Sequence, residues 1–536
     1  NTQLNKFYMT GMSLLSFALV SCGGSFLDVT PADQLSDATF WQSETDADRA
    51  LTGCYRGWES ATNIVFLDAA TDNGYEQFDY NYQALGNGQI LPTSAPGHQS
   101  PWIDEFATEW FTYDRIRKYN NFLEKIDAVE MDAAKKERYK AEVRFLRAYD
   151  YYNKVMFYGD IPLVTKVFAN AEEANMARTP QNEVIDFVLT ELAAIENALP
   201  EQNQIQSGGH ITKGAVLALK ARFELYLGKY AEAQADAAKV IAMGCYELYP
   251  DYETLFYPEA ETSNKESILD VQYIKDQYKN MIPQLNLPAS EGGWSALNAL
   301  WPFVEAFQMR NGKFIDEAGS GYDDNKPFKD RDPRLKKIVL CPGEEYNGRI
   351  YNPLDKLING QSNDDYHVNA AASRGGLLVK KHIYPMSVED ANNYDVNTMV
   401  IRLAEMYLTF AECALKTGSG KEEALRYINA IRERSGMPAV TSLTEKIVRY
   451  ERRVELAFEG LRYFDLKRWD LGPELLNGQA IGCRDGSVNS TTGEVTWNGN
   501  YIILEERKFL PARKYLLPIP QVELDRNENM VQNEGY

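Results

Sequence analysis

One string constrains this chain more than any other. Ala221-Arg222-Phe223-Glu224-Leu225-Tyr226-Leu227 is an apolar helical run. Gly228-Lys229-Tyr230-Ala231-Glu232-Ala233 follows it directly. The glycine ends a first helix, Tyr230 wedges the turn, and the small Ala233 lets a second helix approach the first. Gly-x-Tyr-x-x-Ala between two helices is the inner half of the tetratricopeptide pattern. Such units cannot bury their apolar faces alone, so they stack on one another.

The rest of the chain agrees with a stack of helix pairs. Helical periodicity runs from about 47 to 58, then over 105–158, where Phe106, Trp110, Tyr113, Ile116, Phe122, Leu123 and Ile126 precede a helix from Ala133 to Phe157. A second pair covers about 182–243. A third covers 398–434, with Leu403, Ala404, Tyr407, Leu408 and Ala411 before Thr417-Gly418, and Ala424, Leu425 and Ile428 after it. Residues 444–469 read as one more amphipathic helix. Three to four weak pairs result, with the scaffold at about 105–245 and 398–470. Two stretches break the pattern, 63–102 and 250–395. They are rich in Gly, Asn, Tyr and Pro and read as loops, the segments that carry function on such scaffolds. The expectation is a mainly α protein with long irregular loops, one domain over 22–536.

Residues 1–21 read as a signal peptide. Lys6 is their one charge, and an apolar run from Met12 to Val20 is too short to span a bilayer. The run ends in Leu19-Val20-Ser21-Cys22-Gly23, which resembles a bacterial lipobox. The chemistry expected there is diacylation of Cys22, cleavage before it and acylation of the new amine, which together anchor a protein stably.

The chain carries 56 Lys and Arg against 77 Asp and Glu, a net charge of −21. That excess repels phosphate backbones and argues against a nucleic-acid partner. Cys22, Cys54, Cys245, Cys341, Cys413 and Cys483 include no C-x-x-C pair, so neither a zinc nor a redox site is indicated. The four histidines show no i, i+4 pairing, and G-x-S-x-G is absent. Gly418-Ser419-Gly420-Lys421 reads as a helix-pair turn, not a phosphate loop. Asp323, Asp324, Asp330 and Asp332 are acidic enough for calcium but lack the glycine pattern of a calcium loop. No cofactor, metal or catalytic residue is expected.

Several strings together resemble the SusD/RagB-like outer-membrane nutrient-binding lipoproteins of the Bacteroidetes. They are Cys22 to Asp28 with Pro31; Glu142 to Tyr149, ending in Tyr158-Gly159-Asp160-Ile161-Pro162-Leu163; Arg331-Asp332-Pro333-Arg334-Leu335; Ile401 to Leu408; Glu451 to Trp469; and Leu516 to Pro520 with Asn527, Gln532, Asn533, Gly535 and Tyr536. Order and spacing fit over essentially the whole mature chain. The resemblance implies a helical scaffold and no catalysis. It implies capture of a glycan, more rarely a peptide, outside the cell at the outer membrane. It also implies a SusC-like TonB-dependent transporter as partner, over which the protein sits as a lid. Glu455, Arg462 and Arg468 of the longest string are expected to form buried ion pairs and not to touch ligand.

Ligand residues are not carried by those strings, so composition nominates them. A sugar ring offers an apolar face to aromatic planes and a hydroxyl rim to Asp, Asn and Gln. Loop 71–102 supplies Asp72, Asn73, Tyr75, Tyr80, Asn81 and Tyr82. Loop 278–301 supplies Tyr278, Trp294 and Trp301. Trp294 leads, because Gly292 and Gly293 before it suggest an exposed turn, with packing of the loop onto the scaffold as its competing role; for Trp301 and Trp102 core packing is the favoured role. The alternatives on the same scaffold are a peptide ligand and a tetratricopeptide adaptor for proteins.

Overall fold

The computed structural model describes residues 40–78, 82–94 and 110–536. It is mainly α-helical. The scaffold helices are Glu44–Tyr55, Asp114–Lys125, Ala133–Tyr158, Gln181–Ile195, Lys213–Tyr226, Tyr230–Ala242, Leu403–Thr417, Lys421–Arg434, Glu445–Glu455 and Arg462–Arg468. Ser43, Asp132, Thr212 and Thr444 each cap one of them through a side-chain oxygen. Between Lys213–Tyr226 and Tyr230–Ala242 the backbone turns at Gly228 with φ 73°. Ala233 and Ala237 are fully buried in the contact that follows. Gly418 and Gly420, also at positive φ, make the turn between Leu403–Thr417 and Lys421–Arg434. Among the described residues no helix is long and apolar enough to cross a membrane.

The chain leaves the stack after Ala242 and re-enters it at Leu403, and the two helices that flank this excursion pack on each other. Buried Arg222 joins the halves with a bidentate pair to Glu405 at 2.7 and 2.6 Å. Exit and return are tied by an antiparallel ribbon of Ser267–Val271 and Thr398–Arg402. The stretch 398–402, expected as helix, is therefore a strand, as its β-branched run allows.

Two further expectations are corrected. Residues 63–102 are not simply loop. Ala61–Phe66 is a helix, Leu67–Ala70 a 3₁₀ turn, Gly74–Glu76 a strand and Tyr82–Gly86 a helix. Their polar groups pair with one another inside the core, so polarity of composition did not mean exposure. Residues 444–469 are two helices, broken by Phe458 at φ 58° and Gly460 at φ 77°. The apolar period runs on through the break, but the turn lets Glu455 and Glu459 face one set of arginines while Arg462 faces another carboxylate.

The two irregular regions meet in one small antiparallel sheet, ordered Gly74–Glu76, Leu297–Ala299, Leu378–Val379, Val339–Leu340. A long hairpin, Gly478–Val488 with Val495–Arg507, lies alongside. Its Leu504 packs on the buried cluster of Tyr75, Leu300 and Ala480.

A buried ionic network joins insertion to scaffold. Arg402 meets Glu266 at 2.7 Å, Glu455 at 2.8 Å and Glu459 at 2.7 Å. Arg434 meets Glu266 at 2.7 Å and also Glu455. Arg334 reaches Asp332, Glu451 and Glu455; Arg432 reaches Glu451; Lys381 reaches Glu459. Five cations thus face five carboxylates. The ring of Tyr252 lies beneath Lys381, Arg402 and Arg434. Burial alone would raise the Glu459 carboxyl, but Arg402 and Lys381 outweigh it and bring it from 4.5 to about 2.

Arg402→Ala leaves three buried carboxylates short of a cation and lowers stability by about 3–5 kcal/mol in urea denaturation. A loss below about 1 kcal/mol would mean that water reaches the site. A carboxyl whose value is depressed on folding stabilises above its unfolded value. Glu459 therefore makes stability fall as pH drops from 4.5 towards 2. Glu459→Gln flattens that part of the profile.

Candidate ligand-binding site

The segment 287–296 forms a closed loop. Gly293 N–H donates to the Pro288 carbonyl at 3.1 Å, and Ser295 N–H donates to that of Leu287 at 3.2 Å. Gly292 is left-handed, at φ 83°. Gly293 has no room for a side chain: a Cβ there would lie 2.2 Å from the Leu287 carbonyl oxygen. This places Trp294 half-buried at the rim, its indole edge-on to Phe78 with centroids 6.2 Å apart.

Gln77 connects this loop to its surroundings. Its amide donates to the carbonyls of Trp294 at 3.1 Å and Ala370 at 3.4 Å. Its oxygen accepts from Arg374 N–H at 3.1 Å and from the Asn298 amide at 3.3 Å. Tyr75, two residues earlier on the strand, is mostly buried, and Arg374 reaches its phenol. Burial and the Glu505 carboxylate push that phenol up, and Arg374 opposes them. Gln77, itself buried, thus joins the loop of Trp294 and Phe78 to exposed Arg374, and Arg374 reaches on to buried Tyr75. Aromatic edges and planes stand beside the exposed Arg374 guanidinium, while the Gln77 amide is taken up by the two carbonyls that hold the loop. That combination suits a hydroxylated ring and provides no nucleophile or acid–base pair.

The other nominated residues are placed differently. Asp72 is buried between Arg462 at 2.8 Å and Arg453 at 2.9 Å. Burial would raise its carboxyl, but the two guanidiniums hold it well below the usual range. Asn73 is fully buried, donating to Asp68 at 3.0 Å and accepting from Arg453 at 2.9 Å. Tyr82, also fully buried, donates to Asn63 at 2.7 Å. Trp301 is 1% exposed and its indole donates to Glu305 at 2.8 Å. These four are core residues, each already satisfied, and the candidate surface is drawn without them. Tyr278 is half-buried and stacks on Tyr273 at 5.2 Å in a turn of its own. Tyr80, Asn81, Trp102 and the anchor candidate Cys22 lie outside the described residues.

Sequence reasoning missed Gln77, Phe78 and Arg374. Gln77 and Phe78 sat within a nominated loop, and only the strand pairing of Tyr75 with Asn298 turns them toward Trp294. The acidic cluster does not converge either. Asp332 pairs with Arg334 and Asp324 with Arg484, and no group of His, Cys, Asp or Glu among the described residues could hold a metal ion.

The SusD family model matches residues 255–536, and a model described as "Starch-binding associating with outer membrane" matches residues 25–225. The chain belongs to the SusD family. Membership makes it a binding protein and not an enzyme. The starch-binding protein SusD of Bacteroides thetaiotaomicron is 25% identical over 98% of this chain and 97% of its own length. SusD-like protein P2 of Formosa agariphila is 24% identical over 99% of this chain and all of its own. A solved SusD-like carbohydrate binding protein from Bacteroides fragilis superposes with a TM-score of 0.79 at 30% identity, covering 92% of this chain and 99% of that one.

The site geometry makes its own prediction. Gly293→Ala forces the loop open, costs about 1–3 kcal/mol by overpacking, and moves Trp294 out of contact with Phe78. Tryptophan fluorescence shifts to the red. An unchanged spectrum and melting curve would contradict the loop's closure.

Proposed function

We propose that the protein is a lipid-anchored outer-membrane lipoprotein, facing the cell exterior, that captures oligosaccharide or polysaccharide and passes it to a SusC-like TonB-dependent transporter. SusD-family membership across both halves of the chain is the observation that carries this reading. The relatives named starch-binding and carbohydrate binding support the ligand class. The surface built by Trp294, Phe78 and Arg374 over buried Gln77 and Tyr75 supports it chemically, because stacking and directional hydrogen bonds are what a sugar ring can accept. Trp294 supplies the apolar plane; Gln77 positions its loop, and Arg374 supplies donors. The anchor is Cys22, at the end of an h-region too short to span a bilayer.

Calorimetry on the form starting at Gly23, against a panel of oligosaccharides, tests the capture reading. One glycan class gives heat, and Trp294→Ala weakens it at least about tenfold, or ~1.4 kcal/mol. No heat with any glycan, together with heat from peptides, would replace the glycan with a peptide ligand. The anchor is tested separately in cells: Cys22→Ala moves the protein from the membrane fraction to the soluble one.

A further inference from the structure

The hairpin carries an aromatic surface that the site above does not use. Along Val495–Arg507, Thr496, Asn498, Gly499 and Asn500 are exposed, yet Trp497 among them is half-buried and held from three sides. Its indole N–H donates to the Asn325 carbonyl at 3.1 Å. Its ring meets Phe328 edge-on, with centroids 5.9 Å apart. The Arg484 guanidinium sits 5.4 Å from its centroid and 5.2 Å from that of Trp301. Arg484 is in turn fixed by Asp324, whose carboxylate accepts at 2.9 and 3.1 Å and whose carbonyl accepts at 2.6 Å.

The rest of Trp497 lines an open groove of about 410 Å³. Lys326, Lys329, Lys336, Asn325 and Glu494 stand around it. Lys326 and Lys329 are exposed, and Lys336 reaches Glu344 only at 3.7 Å. The groove wall is stiff. The hairpin tip at Gly493 approaches Gly343 so closely that a Cβ on either would lie within 2.3 Å of the other's carbonyl oxygen. A tryptophan needed only to pin the hairpin would be covered; this one is clamped and still borders a groove whose Lys326 and Lys329 face solvent, Lys329 only 3.9 Å from Asp330. Its rotamer freedom is already lost, so a ligand stacking on it gives up little more.

We propose that this groove is a second saccharide subsite, occupied by a distal part of the same glycan chain. The inference rests on the glycan reading and adds a length requirement to it. The strand itself connects the two places. Leu504 packs on the buried cluster that holds Tyr75 of the first site, and Trp497 stands seven residues back along the same bulged strand, at most about 23 Å at ~3.3 Å per residue. A short oligosaccharide fills one subsite. A polymer reaches both, and the second contact then forms at high effective concentration.

The test compares a polysaccharide with a short oligosaccharide cut from it, using affinity electrophoresis for the first and calorimetry for the second. The proteins are wild type, Trp294→Ala, Trp497→Ala and Lys326→Ala/Lys329→Ala. The lysine pair removes only exposed side chains, so it reports on the groove even if Trp497→Ala disturbs the hairpin. Groove variants are expected to lose at least about fivefold in polymer affinity and to keep the wild-type Kd for the short ligand. Wild-type polymer affinity in both groove variants, with loss in Trp294→Ala, overturns this inference and leaves the first site standing. A wild type that binds no saccharide of either length overturns the functional reading, and this inference with it.

Discussion

A buried charge is tolerated only where an opposite charge and further hydrogen bonds meet it, because removing one ion from water costs several kcal/mol. Arg334, Arg402, Arg432, Arg434 and Lys381 satisfy that condition against Glu266, Asp332, Glu451, Glu455 and Glu459. The partners come from different places. Glu266, Asp332, Arg334 and Lys381 belong to the insertion, Arg402 stands at its return, and the rest belong to the last scaffold helices and the turn after them. An apolar interface could slide or repack at small cost. This one cannot, since any shift strands an ion. The network's contribution is register more than net stability: it fixes the insertion on the stack.

A second, smaller lock carries that register to the ligand side. Asp72 lies between Arg453 and Arg462, Asn73 accepts from Arg453, and Asp68 receives the Phe458 N–H at 2.7 Å. The strand Gly74–Glu76 begins one residue after Asn73, and Gln77 and Phe78 follow at once. Arg453 and Arg462 of the long string at 451–469 therefore hold the start of the segment that carries Gln77 and Phe78. The turn at Phe458 and Gly460 makes this possible. In a continuous helix, Glu455 and Arg462 would fall two turns apart on one side, and they could not serve two separate locks.

What was legible in the sequence follows the range of the forces involved. The helix pairs at 213–242 and 403–434 were readable because period, capping and turn glycine are local. The break at 456–461 was not, since the local pattern favours helix and the distant partners Asp72 and Arg402 override it. The region 63–102 reads as loop by composition, yet Asn63 with Tyr82, Asp68 with Asn73, and Asp72 with Arg453 and Arg462 are satisfied core groups. Composition reports what a side chain needs, not whether water or protein supplies it. The turn before Trp294 was legible because its two glycines are a local signature. Gln77, Phe78 and Arg374 were not, because only the pairing of two irregular regions brings them together. The hairpin at 478–507 was hidden by its own glycines, which interrupt the alternation of a strand.

The separation of locks from ligand surface has a physical consequence. Trp294 and Phe78 touch each other and solvent, and neither contributes an ion to either lock. An exposed residue there, such as Arg374, can change size or polarity at a cost of the ordinary surface kind, within about 0.5 kcal/mol. Residues of the locks cannot, since each change strands a buried charge. The same scaffold can therefore present different aromatic and hydrogen-bonding groups to differently shaped ligands without losing its register. Much of the long string at 451–469 is committed in this way: Glu451, Glu455 and Glu459 hold the insertion, and Arg453 and Arg462 hold Asp72.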